Sequence, residues 1–370
     1  MTMTKQQFQQ KLEHCLCPPG DGVFTVNTAK ERKDALRTKL YGQTEGVDVL
    51  WKESLTTLEN SEYKAAILGI SSDCGGGILR GANWGPLFLR STLIEQHPHI
   101  SAFDLGDVRV IPHLLHDKYL NDATISNCQK ALYQDDNSDY YVSPLSITED
   151  VCDGFYQQHP DKGIFGIGGD HSISYPLTKS YLKAKRAAGK RTAIIHFDAH
   201  TDLLVERLGI DLCFGSWCTH ILEYLPASHH LIQFGIRSSG KDKTHWESTF
   251  GVKQHWAHEI REQGADAIVK QVIAQLKADN VDELYVSFDI DALDEEFASA
   301  TGTPEGNGMT PDEAMTILRA LREEFPITGA DMMEIAPFTD SSLVGQSSSE
   351  TTLREGAKIS AFLIDAINNS

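Results

Sequence analysis

Short apolar runs, each closed by Gly, Asp or Ser, recur along the chain and constrain its fold more than any other feature. The clearest are Ala65–Ile70, Gly163–Ile167, Ala193–Phe197, His230–Ile236 and Leu284–Phe288. They are rich in Ile, Val and Phe and apolar on both alternations, the pattern of strands buried on both faces of a parallel sheet. Between them lie helical stretches at Tyr175–Ala188, Ala265–Asp279 and Pro311–Glu324. The last has a start signal, with Thr310 as N-cap, Pro311 in the first turn and Glu313 placed for a capping box. This alternation predicts an α/β fold, a three-layer α/β/α sandwich around a central, mostly parallel sheet. In such folds binding residues gather beyond the carboxyl ends of the strands.

Residues 1–60 read as polar helices broken by the Cys-Pro-Pro-Gly-Asp-Gly turn at 17–22, an N-terminal extension ahead of one α/β domain spanning 61–370. The acidic, polar stretch Gln134–Asp150 reads as a surface loop. The 370 residues carry 33 basic and 52 acidic side chains, a net charge of −19. That excess argues against nucleic acid as a partner, because phosphate attraction needs clustered Lys and Arg. It leaves room for a small cationic molecule. No run of about 18 apolar residues occurs, which excludes a transmembrane helix. The N-terminus lacks the apolar segment of a secretory signal. The seven cysteines are scattered, with no Cys-x-x-Cys pair, and read as the reduced thiols of a cytoplasmic protein.

Three of the apolar runs end in the same chemistry. Gly163–Ile167 leads into Gly168-Gly169-Asp170-His171-Ser172, Ala193–Phe197 into Asp198-Ala199-His200-Thr201-Asp202, and Leu284–Phe288 into Asp289-Ile290-Asp291. In an extended chain, residues two apart share a side, so Asp198, His200 and Asp202 can converge, as can Asp289 and Asp291. Each piece alone reads as a cap or a turn. Together, His171, Asp198, His200, Asp202, Asp289 and Asp291 offer two imidazoles and four carboxylates, which would repel one another without cations. Four negative charges match two divalent ions. Oxygen donors with a minority of imidazole and no thiolate favour Mn²⁺ over zinc. Two such ions can lower the pKa of a hydroxide held between them.

At these residues the chain resembles the ureohydrolases: arginase, agmatinase, guanidinobutyrase, formimidoylglutamase and relatives. GGDHS at 168–172, FDAHTD at 197–202 and SFDIDALD at 287–294 are similar to that family's three metal-binding signatures, in order. GILRGANWGPLFLR at 77–90 resembles its early Gly-Pro-Arg segment, and DLGDV at 104–108 the strand that follows. ATGTPEGNGMT at 300–310 resembles the loop of the agmatinase-like branch. The resemblance covers roughly 60–365. It implies one metal held by His171, Asp198, Asp202 and Asp289, and a second by Asp198, His200, Asp289 and Asp291. Mn²⁺ is the implied ion, with Ni²⁺ as an alternative. It implies attack by the bridging hydroxide on the central carbon of a linear guanidine or amidine, releasing an amine, and urea from a guanidine. Asp202 would carry the hydroxide's proton to the leaving amine. Glu334, in MMEIAP, resembles the glutamate that pairs with the guanidinium or amidine. The substrate implied is agmatine- or guanidino-acid-like, and the assembly a trimer or hexamer.

One departure stands out. Phe214, in Cys213-Phe214-Gly215-Ser216-Trp217, occupies the place of the family's proton-shuttling histidine. Cys218, His220, water or an unusual leaving group would have to substitute, or catalysis is weak. The alternatives are therefore a formimidoylglutamase or other amidine hydrolase, or a weakly active metal-binding homologue. A single-zinc deacetylase relative fits less well, because it has fewer carboxylates. His196, two before Asp198 but deeper in its strand, reads as a core or supporting histidine rather than a ligand. Gly235-Ile-Arg-Ser-Ser-Gly240-Lys241 departs from a phosphate loop at Asp242 and reads as a turn. Trp246, His255, Trp256 and His258 read equally as a substrate loop or as packing.

Overall fold

A computed structural model describes residues 3–23, 27–76, 79–339 and 348–370. Among the described residues nine strands form one sheet: β1 (Leu16–Cys17), β2 (Ala65–Ile70), β3 (Phe103–Val108), β4 (Gly163–Gly168), β5 (Thr192–Phe197), β6 (Leu231–Phe234), β7 (Lys253–His255), β8 (Glu283–Asp289) and β9 (Ile327–Met333). Their spatial order is β1-β3-β2-β4-β9-β8-β5-β6-β7. Every neighbouring pair is parallel except β1 with β3.

Alternate residues of each strand feed two cores, as the period of two requires. In β5, Ala193, Ile195 and Phe197 enter one core and Ile194 the other; in β8, Leu284, Val286 and Phe288 oppose Tyr285. The first core is closed by helices Gly85–Gln96, Ala265–Ala278, Pro311–Glu324 and Ser349–Asn368. The second is closed by Lys5–Cys15, Pro144–Gln158 and Ser174–Ala187. The sheet is thus the middle layer of an α/β/α sandwich, as its two-sided apolar strands predict. Among the described residues no helix is long and apolar enough to cross a membrane.

Residues expected to form the extension pack onto this body. Phe8 and Leu12 enter the second core, and β1 adds an antiparallel edge strand. Trp51 is fully buried and donates from Nε1 to the Leu105 carbonyl at 3.1 Å. The turn at 17–22 is fixed by Asp107, whose Oδ2 accepts from the Gly20 and Gly22 amides at 2.8 and 3.1 Å. Asp107 in turn pairs with buried Arg90 at 2.8 Å, and Arg90 also reaches Asp104 at 2.9 Å.

The expected loop at Gln134–Asp150 is corrected from Pro144 onward. Pro144 opens a helix through Gln158, where its fixed φ suits the first turn and its missing N–H costs nothing. Leu145, Ile147 and Val151 bury one side of that helix, which the acidic composition of the stretch conceals.

Candidate metal centre

The carboxyl ends of β4, β5, β8 and β9 meet at one buried point. After β4 the chain passes so close to the Ser72 carbonyl that a Cβ at Gly169 would lie 1.5 Å from it, so only glycine fits. Asp170 then caps the short turn His171–Ile173, accepting from the Ser172 amide at 3.0 Å, and draws in Gly75, whose amide is 3.1 Å from its other oxygen. This turn presents His171 inward. Of the segment 77–90 quoted above, residues 77–78 lie outside the described residues.

Nδ1 of His171 lies 3.0 Å from Asp289 Oδ2, 3.1 Å from Asp198 Oδ2 and 3.3 Å from Asp202 Oδ2. Nδ1 of His200 lies 3.2 Å from Asp198 Oδ1 and 3.1 Å from Asp291 Oδ2. Asp198 Oδ1 therefore faces His200, while Oδ2 faces His171 on one side and His196 on the other. Donor atoms of Asp198, His200 and Asp291 all lie within 4.8 Å of one another, as do those of His171, His196, Asp198 and Asp202. All six predicted positions are brought together.

The route differs from the extended chain expected after β5 and β8. Asp202 takes a left-handed conformation, φ +50°, and Asp289 opens a tight turn over Ile290–Ala292. The turn is held by the Asp291 amide, which donates to Asp289 Oδ1 at 2.9 Å. Glu334, just past β9, is also left-handed at φ +63°. Its amide donates to the Gly169 carbonyl at 2.9 Å, and its Oε1 accepts from the His171 amide at 3.0 Å. Non-glycine residues held at positive φ mark a backbone that the surroundings over-determine, as at functional sites.

Electrostatics point to cations. Burial, and then the neighbouring carboxylates, push the carboxyl groups of Asp202, Asp289 and Glu334 well above their usual range. Burial opposes ionisation of Asp198 too, but contacts from His171, His196 and His200 outweigh it and hold this carboxyl low. Four carboxylates in a dry site carry a charge that two divalent ions would balance, and the donor set of oxygen with some imidazole suits them. The residues fit a binuclear centre.

The support for these donors comes from residues that the signatures do not include. His171 contacts Ser287 Oγ through Nε2 at 3.0 Å, and Ser287 donates to Asp331 at 2.8 Å. Buried Asp331 also accepts from Tyr285 and Ser174 at 2.8 and 3.0 Å. Trp217 donates from Nε1 to Asp202 Oδ2 at 2.7 Å. His196 has both ring nitrogens engaged, Nε2 with Asp198 at 2.9 Å and Nδ1 with the Gln233 amide at 2.9 Å. Gln233 accepts from Gln254, which accepts from Trp256, so a buried chain of hydrogen bonds runs outward from Asp198. Trp256 therefore belongs to the support of the cluster, and His255 stacks on Phe234.

His220 is not brought to the cluster. Trp217, Cys218 and Ile221 take the buried side of their short helix, and His220 instead bonds the Asp211 carbonyl at 2.8 Å and faces Tyr175. Cys218 is buried 3.6 Å from His196 Nδ1, with burial raising its thiol pKa. Phe214 lies under the Arg207 guanidinium, 5.0 Å from ring centre to Cζ, and donates its amide to Gly75. Arg237, in the segment weighed as a phosphate loop, donates to the carbonyls of Asp291, Leu293, Glu305 and Gly306 and staples the 300–310 loop to the third signature. In that loop Glu305 lies 3.5 Å from His200 Nε2, and Thr303 donates to Asp291 at 3.0 Å. Neither was singled out from the sequence, although the loop was.

Comparison with known proteins agrees with this architecture. The model of the arginase family matches residues 63–363, and the chain belongs to that family. The agmatinase of Bacillus subtilis is 32% identical over 310 residues, covering 80% of this chain and 92% of that protein. A solved structure of a hypothetical agmatinase from Burkholderia thailandensis superposes with a TM-score of 0.61 at 25% identity, covering 83% of this chain and 86% of that one. Formimidoylglutamase from Bacillus subtilis shares the fold, with a TM-score of 0.63 at 22% identity over 83% and 87% of the two chains. Arginase-family ureohydrolases act on the C–N bonds of guanidines and amidines, and the chain is a hydrolase of that class.

Proposed function

We propose that the chain hydrolyses a linear guanidine, agmatine-like or a guanidino acid, to urea and an amine at a centre of two Mn²⁺ ions. The carrying observation is Asp198, whose two oxygens face His171 and His200 separately, the placement of a carboxylate shared by two ions. His171, Asp198, Asp202 and Asp289 would hold one ion, and Asp198, His200, Asp289 and Asp291 the other. Bound there, the pair supplies Lewis acidity and an acidified water as nucleophile.

The chain's own groups do the rest. Glu334, buried with its Oε1 on the His171 amide, orients the planar cation by accepting from its N–H groups. Asp202, steadied by Trp217 N–H, takes the nucleophile's proton and returns it to the departing nitrogen. Phe214, packed beneath Arg207, carries no proton, so that return rests on Asp202 or water. A second reading, a formimidoylglutamase or other amidine hydrolase that releases an amine and an amide instead of urea, is favoured by the same departure at Phe214.

The deciding experiment is a panel of guanidines and amidines with Mn²⁺ or Ni²⁺, following urea, ammonia and the amide product separately. Urea from a guanidine supports the first reading, an amide such as formamide, or ammonia, from an amidine without urea supports the second, and release of none of these refutes both. The seven cysteines, all free thiols, fit a cytoplasmic protein, and a homo-oligomer is expected. Sedimentation or light scattering tests the latter.

A further inference from the structure

A second group of metal-type donors lies at the other end of the sheet. His229 and His230 close the short turn Ser228–His230 that leads into β6, and Asp279 ends helix Ala265–Ala278. The ring of His230 also lies beside the backbone of Thr192, the first residue of β5. Asp198 follows the last residue of that strand, so its rise of about 3.3 Å per residue separates the two groups by about 20 Å.

Three donor atoms, from His229, His230 and Asp279, lie within 4.8 Å of one another. Asp279 Oδ2 is 3.1 Å from His229 Nε2 and 3.7 Å from His230 Nε2. His230 is fully buried, its ring nitrogens have no side-chain hydrogen-bond partner, and the backbone of Thr192 is the one hydrogen-bonding neighbour of its ring; the Asp279 oxygen faces the two imidazoles and no other donor. A buried imidazole with one ring nitrogen left to face only another imidazole and a carboxylate is costly unless that nitrogen finds a partner. Burial, and then His229, lower the pKa of His230, which favours the neutral form that donates a lone pair. Arg191, also near His230, is turned to the Asp279 carbonyl, to which its Nε donates at 3.0 Å.

We propose that His229, His230 and Asp279 form a separate site for a borderline divalent ion of the zinc class, with solvent completing the coordination. Two imidazoles and one carboxylate suit zinc, nickel or cobalt rather than the oxygen-seeking Mn²⁺. His229, 39% exposed, gives the ion its entry, and His230 anchors it from within. The ion joins the start of β6 to the end of helix Ala265–Ala278, and so stabilises the folded state.

The test compares wild type with His229→Ala and Asp279→Asn, both at partly exposed positions, by equilibrium dialysis against Zn²⁺ and elemental analysis. Subtracting the variant from the wild type cancels whatever the strand-end cluster holds. The expected result is about one zinc ion fewer per chain in each variant. Each variant should also lose part of the zinc-induced rise in Tm while unfolding as the wild type does without zinc. Equal zinc content and equal zinc-induced shifts in wild type and both variants would overturn the proposal. His230→Gln serves as a third variant, and if it fails to fold the two outer substitutions still decide.

Discussion

Removing one hydroxyl, by Ser287→Ala, should loosen metal binding at the strand-end cluster without touching any of the six predicted ligands. Ser287 Oγ lies between His171 Nε2 at 3.0 Å and Asp331 Oδ1 at 2.8 Å, and all three residues are buried. In wild type the hydroxyl accepts from Nε2–H, which leaves the Nδ1 lone pair directed at the carboxylates. Without it the Nε2–H has no acceptor, and a buried donor left so costs about 1–3 kcal/mol. The imidazole is then free to hold its proton on Nδ1, in competition with an ion. Loss of such a supporting contact typically weakens metal affinity about tenfold to a hundredfold. Mn²⁺ titration by calorimetry, with thermal unfolding of the metal-free protein, reads both effects. Ser174→Ala is the control, since Ser174 donates to Asp331 without contacting His171; it should lower stability and leave affinity within about twofold. Wild-type affinity in Ser287→Ala would refute the orienting role assigned to this hydroxyl.

Three further outcomes are expected. Arg90→Met strands the fully buried Asp107 and should destabilise the fold by about 3–5 kcal/mol in denaturant unfolding. Burial lowers the pKa of His255 from 6.5 to about 4, so on acidification the unfolded chain takes up this proton first. Its contribution is whole above pH 6.5 and is lost as pH falls toward 4, at most about 3 kcal/mol, a dependence that His255→Phe should flatten in unfolding curves. Phe214→His should fold and shift the pH–rate profile, because an imidazole there can carry a proton; an unchanged profile would place residue 214 outside the reaction.

The two-sided strands were legible because burial on both faces leaves no room for polar alternation, as in Ala193–Phe197 and Leu284–Phe288. The clustered carboxylates and imidazoles were legible for a related reason: charges that directly follow a buried strand need compensation. Their support was not. Ser287, Asp331, Gln233 and Trp217 are ordinary residues in sequence, and they acquire meaning only when the parallel register sets β5, β6, β8 and β9 side by side. Extended-chain alternation misjudged how Asp202 and Asp291 arrive, since a left-handed residue and a tight turn do that work. Proximity in sequence to the expected shuttle position made His220 a candidate, but the helix that buries Trp217 and Cys218 turns it away. Pro144–Asp150 was hidden by its charge, although proline after serine is a helix-start signal.

Sharing of Asp198 between two ions is read out by electron paramagnetic resonance of the Mn²⁺-loaded protein. Two ions sharing one carboxylate would lie close enough to couple, so the expected result is an exchange-coupled spectrum that Asp198→Ala abolishes. A spectrum of isolated Mn²⁺ alone, or a coupled one that survives Asp198→Ala, would contradict it.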